Sequence, residues 1–352
     1  MSSESATPGT RSTAKLSTTE PSSKPSIWWG FAVCAVVAAV CIGLGNLVTG
    51  LSAMLVAVLL GALWRNLAPV PATLEPGIGV AAKRVLRWGV VLLGLQLSLP
   101  QVLDLGPGVL AIVVAAVAIT FLATLGLGRL LGVDRDLSVL IAGGFSICGA
   151  AAVAGVQGAV RTTQEKVAAA VALVVLFGTL MIPVMPLLVA ALDLAAGDAG
   201  TAIGGSIHEV AQVVAAGGIA GGGSVLAVAV SVKLARVVLM APVVAGVSLA
   251  RRRSNTDTSD GKRPPIVPLF VLGFVVMVLV ATTGWVPQPV LDIVKWIQQF
   301  LLATAMFALG LGVHVKSLLK LGLRPLLLGL CATIVIVVVV LGGIALGFGA
   351  NV

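Results

Sequence analysis

The sequence predicts an all-α membrane protein with about 10–11 transmembrane segments, inverted repeats and two broken or re-entrant helices. Of its 352 residues, 59% are hydrophobic and only 10% are charged, and the mean hydropathy is +1.14. A soluble domain of this length needs far more polar surface. Apolar runs near or above the roughly 18 residues of a membrane-spanning helix recur from Ile27 almost to the C-terminus.

The apolar runs divide the chain into predicted spans. These cover residues 27–44, 50–64, 85–103, 108–128, 138–158, 167–190, 201–216, 224–249, 266–283, 291–312 and 325–348. Residues 1–26 are rich in Ser, Thr, Pro, Lys and Glu, which predicts a disordered cytoplasmic tail. Residues 27–349 are predicted to form a single helical domain in the lipid bilayer.

The distribution of charge predicts the orientation. The net charge is +9, but the basic residues lie in short clusters between apolar runs, which excludes a nucleic-acid partner. Basic connectors fall at 65–87, 129–135, 251–263 and 316–324, whereas 45–49, 100–108 and 284–289 contain no Lys or Arg. We therefore expect a multi-pass protein of the plasma or inner membrane with a cytoplasmic N-terminus.

Two segments leave this topology open. The loop at 161–166 is basic and the loop at 193–198 is acidic. If 138–158 and 201–216 both span the membrane, each loop lies on the side that the positive-inside rule disfavours. If both segments are re-entrant or broken, each loop moves to its preferred side. Charge and glycine content favour the second arrangement.

An internal repeat supports an inverted architecture. The run from Gly94 to Gly106 resembles the run from Gly310 to Gly322 at an offset of 216 residues, and a long apolar span follows each copy. The first copy is predicted to leave the cytoplasmic side and the second to return to it. Inverted repeats of this kind are typical of secondary transporters.

Two glycine-rich segments are candidates for interrupted helices. Glycine breaks a helix, and the N-terminus of a half-helix in a membrane directs unpaired N–H groups at an anion. The alternative is that these glycines only allow tight helix packing. The candidate substrate-binding residues are Ser146, Cys148, Gly149 and Ala150 in the first segment, and Ser206, His208, Glu209 and Gln212 in the second.

The polar residues of the second segment need partners. A charge at the bilayer centre costs about 2.5–3.5 kcal/mol, so Glu209 is predicted to line a cavity or to form an ion pair. Lys233 and Arg236 share one face of the next span and complete the candidate site. Either a Glu209 ion pair fixes the helix register, or one cation neutralises Glu209 while the other attracts an anionic substrate. His208 is a candidate carrier of a coupled proton, because imidazole titrates near neutral pH.

A family resemblance rests on five runs within residues 30–348: Val91–Leu99, Ser146–Ala150, Phe177–Thr179, Ser206–Gly217 and Lys233–Val237. These runs resemble the YeiH-type family of bacterial multi-pass membrane proteins, which carries the provisional label of sulfate exporters. The resemblance implies export of sulfate, sulfite or a sulfonate and, more distantly, the crossed broken helices of bile-acid symporters and sodium/proton antiporters. Where members often have Ala-Ser-Ala, this chain has Ala150-Ala151-Ala152, which leaves backbone N–H groups as the oxyanion donors.

The leading prediction is a secondary transporter of a small anion that works by alternating access. A coupling proton or sodium ion is expected, a homo-oligomer is compatible with this class, and no enzyme activity, metal or cofactor is predicted. The four cysteines form no CxxC pair. The alternatives are a passive anion channel and an intramembrane serine hydrolase. Ser206 and His208, two positions apart, point away from each other on a helix, which leaves Ser146 with His208 as the catalytic pair.

Overall fold

The computed structural model describes residues 27–47, 53–97, 99–160, 162–254, 269–312 and 322–350, which form helices without any strand. The predicted tail at 1–26 lies outside these residues. The helices are α1 (Ile27–Leu47), α2 (Ala53–Leu67), α3 (Glu75–Val80), α4 (Leu86–Leu93), α5 (Leu99–Leu103), α6 (Gly106–Leu130), α7 (Arg135–Ser146), α8 (Ala150–Val160), α9 (Gln164–Ala191), α10 (Ala196–Ser206), α11 (Val210–Ile219), α12 (Gly223–Val238), α13 (Met240–Ser254), α14 (Leu269–Thr282), α15 (Gln288–Gly310) and α16 (Leu323–Gly343).

Length and composition identify the membrane-crossing helices. Among the described residues, six segments are long and apolar enough to span a bilayer: Ile27–Gly45, Gly106–Leu130, Gln164–Ala191, Gly223–Arg251, Gln288–Gly310 and Leu323–Phe348. One of them joins α12 to α13. The predicted all-α, multi-pass fold is therefore confirmed.

Helices α7 and α8 form a hairpin that enters and leaves at one face of the protein. A Cβ added at Gly143 of α7 would lie 2.7 Å from Val156 Cγ2 of α8, so the two helices lie side by side. Lys166, just after the hairpin, forms ion pairs with Asp134 (2.7 Å) and Asp136 (3.8 Å) at its beginning. The segment predicted at 138–158 therefore re-enters and does not span.

Charged side chains hold the two ends of this hairpin together. Asp134 caps α7, because its Oδ1 accepts hydrogen bonds from the N–H groups of Asp136 (3.0 Å) and Leu137 (3.1 Å). Partial burial works to raise the pKa of Asp134, but the hydrogen bonds from Lys166 and the backbone outweigh it, so this pKa lies below its usual value. Arg251 of α13 contacts Asp136 at 2.5 Å. We call the surface that carries Lys166 and Arg251 the basic face.

Helices α10 and α11 form a second hairpin at the opposite face. Gly200 and Gly204 of α10 lie against Val228 and Ala229 of α12, so α10 and α12 run in parallel. Gly217, near the end of α11, lies against the first turn of α12. Both ends of the hairpin thus lie near the start of α12. The span formed by α12 and α13 ends at Arg251 on the basic face, so its start, and the hairpin with it, lies at the opposite face. The segment predicted at 201–216 re-enters as well, from the other side.

The helices that follow the two repeat copies run in opposite directions, as an inverted repeat requires. Gly108, at the start of α6, lies against Phe348 beyond α16, whereas Gly132 beyond α6 lies near Arg324 at the start of α16. Residues 313–321, which include His314 and most of the second copy, lie outside the described part of the chain.

Cysteine labelling tests which face is cytoplasmic. The positive-inside rule predicts that the basic face is cytoplasmic. In a background with the partly exposed Cys331 replaced by Ser, we expect a membrane-impermeant maleimide on intact cells to label Ala195→Cys and not Gln164→Cys. Permeabilised cells should label both variants. Labelling of Gln164→Cys in intact cells would contradict the predicted orientation.

Candidate functional site

The tips of the two hairpins meet in the interior around Arg236, which is fully buried in α12. Its guanidinium donates hydrogen bonds of 2.8–3.2 Å to the carbonyl oxygens of Phe145, Ser146, Gly204, Gly205 and Ile207. Helices α7 and α10 end at these residues, so their last carbonyls lack partners within the helix and carry partial negative charge. Arg236 therefore joins the C-terminal ends of two half-helices.

Lys233 has the same role one turn earlier in α12. It is fully buried, and its Nζ donates hydrogen bonds of 2.8 Å to the carbonyl oxygens of Ile147 and Ile207. Within the described ranges, the ion pairs are those of Lys166 and Arg251, so neither Lys233 nor Arg236 pairs with Glu209. The register-fixing ion pair considered from the sequence is thus not formed.

Glu209 lies at the N-termini of the other two half-helices, α8 and α11. Its Oε1 accepts a hydrogen bond from the Ala150 N–H at 3.1 Å. Its carboxylate also accepts one from the Gln212 N–H, and Gln212 Oε1 accepts one from the Glu209 N–H at 3.1 Å, which completes a capping box. The carboxylate occupies the positive helix ends where the sequence predicted an external anion.

Gly149 permits this arrangement. Its φ of +75° lies in the left-handed region, and a Cβ there would collide with the Glu209 side chain. The glycine therefore both ends the first tip and brings α8 close to the carboxylate.

The other predicted polar residues are buried beside the tips. His208 packs on Phe145 with ring centroids 4.5 Å apart, and its Nε2 lies 3.3 Å from Thr333 Oγ1. Ser146 Oγ donates a hydrogen bond to its own helix, at the carbonyl oxygen of Ala142, 2.6 Å away. No hydrogen bond joins Ser146 to His208 among the residues that the structure describes.

Three buried polar atoms near the tips have no hydrogen-bond partner in the described structure. They are Ser206 Oγ, His208 Nδ1 and Gln212 Nε2. The Gln212 amide rests on Gly178 of α9, where a Cβ would displace it. These atoms are available to a water molecule or ligand at the crossing.

A cavity of about 500 Å³ ends at Glu209. Cys148 of the first tip also lines it. Across from the tips, Gln96 Nε2 donates a hydrogen bond to Gln298 Oε1 at 2.6 Å, and both glutamines line the cavity. Lys295 is exposed and lies one turn closer to the start of α15. Apolar walls are contributed by Ile42, Met54, Val90, Leu226, Val230, Leu302 and Met306.

The cavity contains only part of the predicted site. Of the ten predicted residues, Cys148 and Glu209 line the cavity, and the others form the crossing behind it. Sequence reasoning missed Gln96, Lys295, Gln298 and Gln299. The last three follow i, i+3, i+4 spacing on α15, which is a signal of one polar face.

The fold and the crossed tips define a multi-pass α-helical membrane protein built around two opposed re-entrant hairpins. The chain belongs to the family described as Conserved hypothetical protein 698, whose match covers residues 29–329. It is 46% identical to a UPF0324 membrane protein of Corynebacterium glutamicum, over 89% of this chain and 91% of the relative.

Two further relatives confirm the predicted YeiH-type family. The UPF0324 membrane protein TauZ of Paracoccus pantotrophus is 37% identical over 90% of this chain and 94% of its own length. The UPF0324 inner membrane protein YeiH of Escherichia coli is 36% identical over 86% of this chain and 88% of its own length. No solved structure matches the chain.

Proposed function

We propose that the protein is a secondary transporter of a small anion, which it moves by alternating access through the cavity that ends at the crossed tips. The observation that carries this proposal is the meeting of four half-helix ends at the end of that cavity. Interrupted helices place backbone donors and acceptors at mid-membrane depth, where a substrate can exchange its hydration shell for them.

The local charge supports an anionic substrate. Lys233 and Arg236 are fully buried, and the single carboxylate near them is Glu209 within the described structure. Carbonyl dipoles satisfy the hydrogen bonds of the two cations but do not cancel their net charge. The buried charges at the tips therefore sum to a net positive charge, which favours an anionic over a cationic substrate, and Lys295 adds a further positive charge to the cavity lining.

The cavity walls favour one class of anion. A volume of about 500 Å³ is within the range of small-molecule pockets, which is roughly 300–1,000 Å³. Its lining combines amide donors at one end with aliphatic side chains along the walls. An oxyanion attached to a short carbon chain, such as a sulfonate, suits this lining better than bare sulfate or sulfite.

The Gln298→Leu variant tests this proposal in proteoliposomes loaded with radiolabelled sulfate, sulfite, taurine, methanesulfonate or a carboxylate. We expect flux of the accepted anion to fall about 10- to 100-fold, because a hydrogen bond to a charged group contributes about 1.5–3 kcal/mol. The matched control is Gln288→Leu, which makes the same change at an exposed position of α15 outside the cavity.

Three results would contradict the proposal. The proposal is wrong if no anion in the panel shows saturable flux. It is also wrong if Gln298→Leu and Gln288→Leu lose flux equally. Single-channel currents that do not saturate would instead indicate a passive channel. Lys233 and Arg236 are poor probes of substrate binding, since their removal disrupts the crossing itself.

A further inference from the structure

We infer that the Glu209 carboxylate and the transported anion compete for the same helix N-termini, so that the anion binds only when Glu209 carries a proton. This inference rests on the proposed anion transport through the cavity. It makes the protein a proton-coupled anion transporter and assigns the coupling proton to Glu209, whereas the sequence had suggested His208.

The geometry makes the two anions exclusive. Glu209 accepts hydrogen bonds from the first turns of both α8 and α11, at Ala150 and Gln212, and it lines the end of the cavity. An anion that reaches these N–H groups must contact the carboxylate. Two unit charges about 4 Å apart repel strongly enough, at an intermediate effective dielectric, to weaken binding by about three orders of magnitude.

Protonation removes this conflict without breaking the fold. A neutral carboxyl group keeps one carbonyl oxygen as an acceptor for a helix N–H and gains an O–H donor. The O–H group can donate a hydrogen bond to the substrate. The carboxyl group then needs only one of the two N–H groups, at Ala150 and Gln212, and the other N–H is free to bind the substrate. No covalent bond other than the O–H bond forms or breaks. Proton and anion then occupy the site together and leave together, after which the carboxylate caps the helices again.

The other titratable or charged groups around Glu209 are poorly placed to carry this proton. They are Cys148, His208, Lys233, Arg236 and Lys295. Lys233 and Arg236 donate to carbonyl oxygens behind the tips and do not line the cavity. His208 faces Phe145 and Thr333 and is also absent from the cavity lining.

The two remaining groups line the cavity but differ in chemistry. Cys148 is a thiol, which stays neutral through the acid range in which carboxyl groups titrate. Lys295 is an exposed amine at the start of the cavity and is not a carboxyl group. Glu209 is thus the described cavity residue whose charge changes as the medium is acidified.

The test uses the full-length chain in proteoliposomes, with sulfate and methanesulfonate as probes because their charge is constant between about pH 5 and 8. Binding and homo-exchange are measured across this range, and accumulation is measured under an imposed pH gradient. In the wild type we expect the affinity for the anion to fall as the pH rises, by up to about tenfold per pH unit. This slope is the limit for binding linked to one proton. The gradient should drive the anion towards the alkaline side.

The Glu209→Gln variant mimics the protonated state, since the amide keeps one acceptor oxygen and cannot ionise. We expect it to bind and exchange the probe with an affinity that does not depend on pH, and to lose gradient-driven accumulation entirely. Lys295→Gln is the control: it should weaken binding by the same factor at every pH and keep the wild-type slope.

The outcomes separate this inference from the proposed function. If the wild type exchanges neither these probes nor any other anion of the panel, anion transport fails and the coupling fails with it. If the wild type exchanges a probe without any pH dependence, transport stands and the inference is wrong. The inference is also wrong if Glu209→Gln keeps gradient-driven accumulation, or if it elutes as a monodisperse protein but no longer exchanges the probe.

Discussion

Replacing Arg236 with Met should leave little or no stably folded protein. Methionine is also a long unbranched side chain, but it has no donor for the five carbonyl oxygens that Arg236 holds. Ile207 keeps Lys233 as a donor, and each of the other four carbonyl groups left without a partner costs about 1–3 kcal/mol. Their sum approaches the whole stability of a typical protein, which is about 5–15 kcal/mol. Fluorescence-detected size-exclusion chromatography in mild detergent should show loss of the monodisperse peak.

Two companion variants show whether hydrogen bonds or charge are responsible. Arg236→Lys keeps the charge but offers three donors where arginine has five, so it should fold with a lower melting temperature than the wild type. Arg129→Met changes an exposed arginine in the last turn of α6 and should behave like the wild type. A stable Arg236→Met protein would show that the tips are held together by other contacts.

The architecture was largely predictable because its signals are local or lie in the loops. The basic loop at 161–166 and the acidic loop at 193–198 favoured re-entry of both segments, and the structure confirms it through Lys166 and its aspartate partners. The breaks were also predictable, since glycines beside Ser146 and Ser206 mark positions where a helix can end. Sidedness of the membrane remains a prediction from the same charge rule.

The partners of Lys233 and Arg236 could not be predicted, because they are backbone atoms. A sequence shows side chains, and pairing by charge leads from these cations to the nearby Glu209. The carbonyl oxygens that they bind lack intrahelical partners because α7 and α10 end there, and the two cations can reach both sets only because the two helix ends meet at one point in space. Their proximity is a tertiary property that no local pattern contains.

The cavity was missed for a related reason. Gln96 and Gln298 are 202 positions apart, and their hydrogen bond forms only after α4 and α15 pack against each other. The sequence drew attention to Glu209 because it is charged in an apolar run. Neutral glutamines in such runs are a weaker signal, although in lipid they also need partners.

Substituting Gly204 by Ala should destabilise the protein strongly although only one methyl group is added. Its Cβ would collide with the Ala229 carbonyl oxygen and lie 3.0 Å from Ala229 Cα, both backbone atoms of α12. Since backbone cannot turn away, α10 must shift, and the Gly204 and Gly205 carbonyls then move off Arg236. Overpacking of about 1–3 kcal/mol adds to the lost hydrogen bonds. We expect a melting temperature lower by on the order of 10 °C.

The same glycine-to-alanine change at two other positions separates this contact from helix propensity. At Gly126 of α6 nothing lies within 4 Å of the added Cβ, so alanine should be neutral or stabilise by up to about 1 kcal/mol. At Gly205 the Cβ would lie 2.8 and 3.0 Å from the two methyl groups of Val340, which are side-chain atoms and can shift more easily than backbone, so the loss should be intermediate. Thermal melts should therefore rank Gly126→Ala above Gly205→Ala and Gly204→Ala lowest. A Gly204→Ala protein as stable as Gly126→Ala would mean that α10 can move away from α12 without cost, and the crossing would then not depend on their close approach.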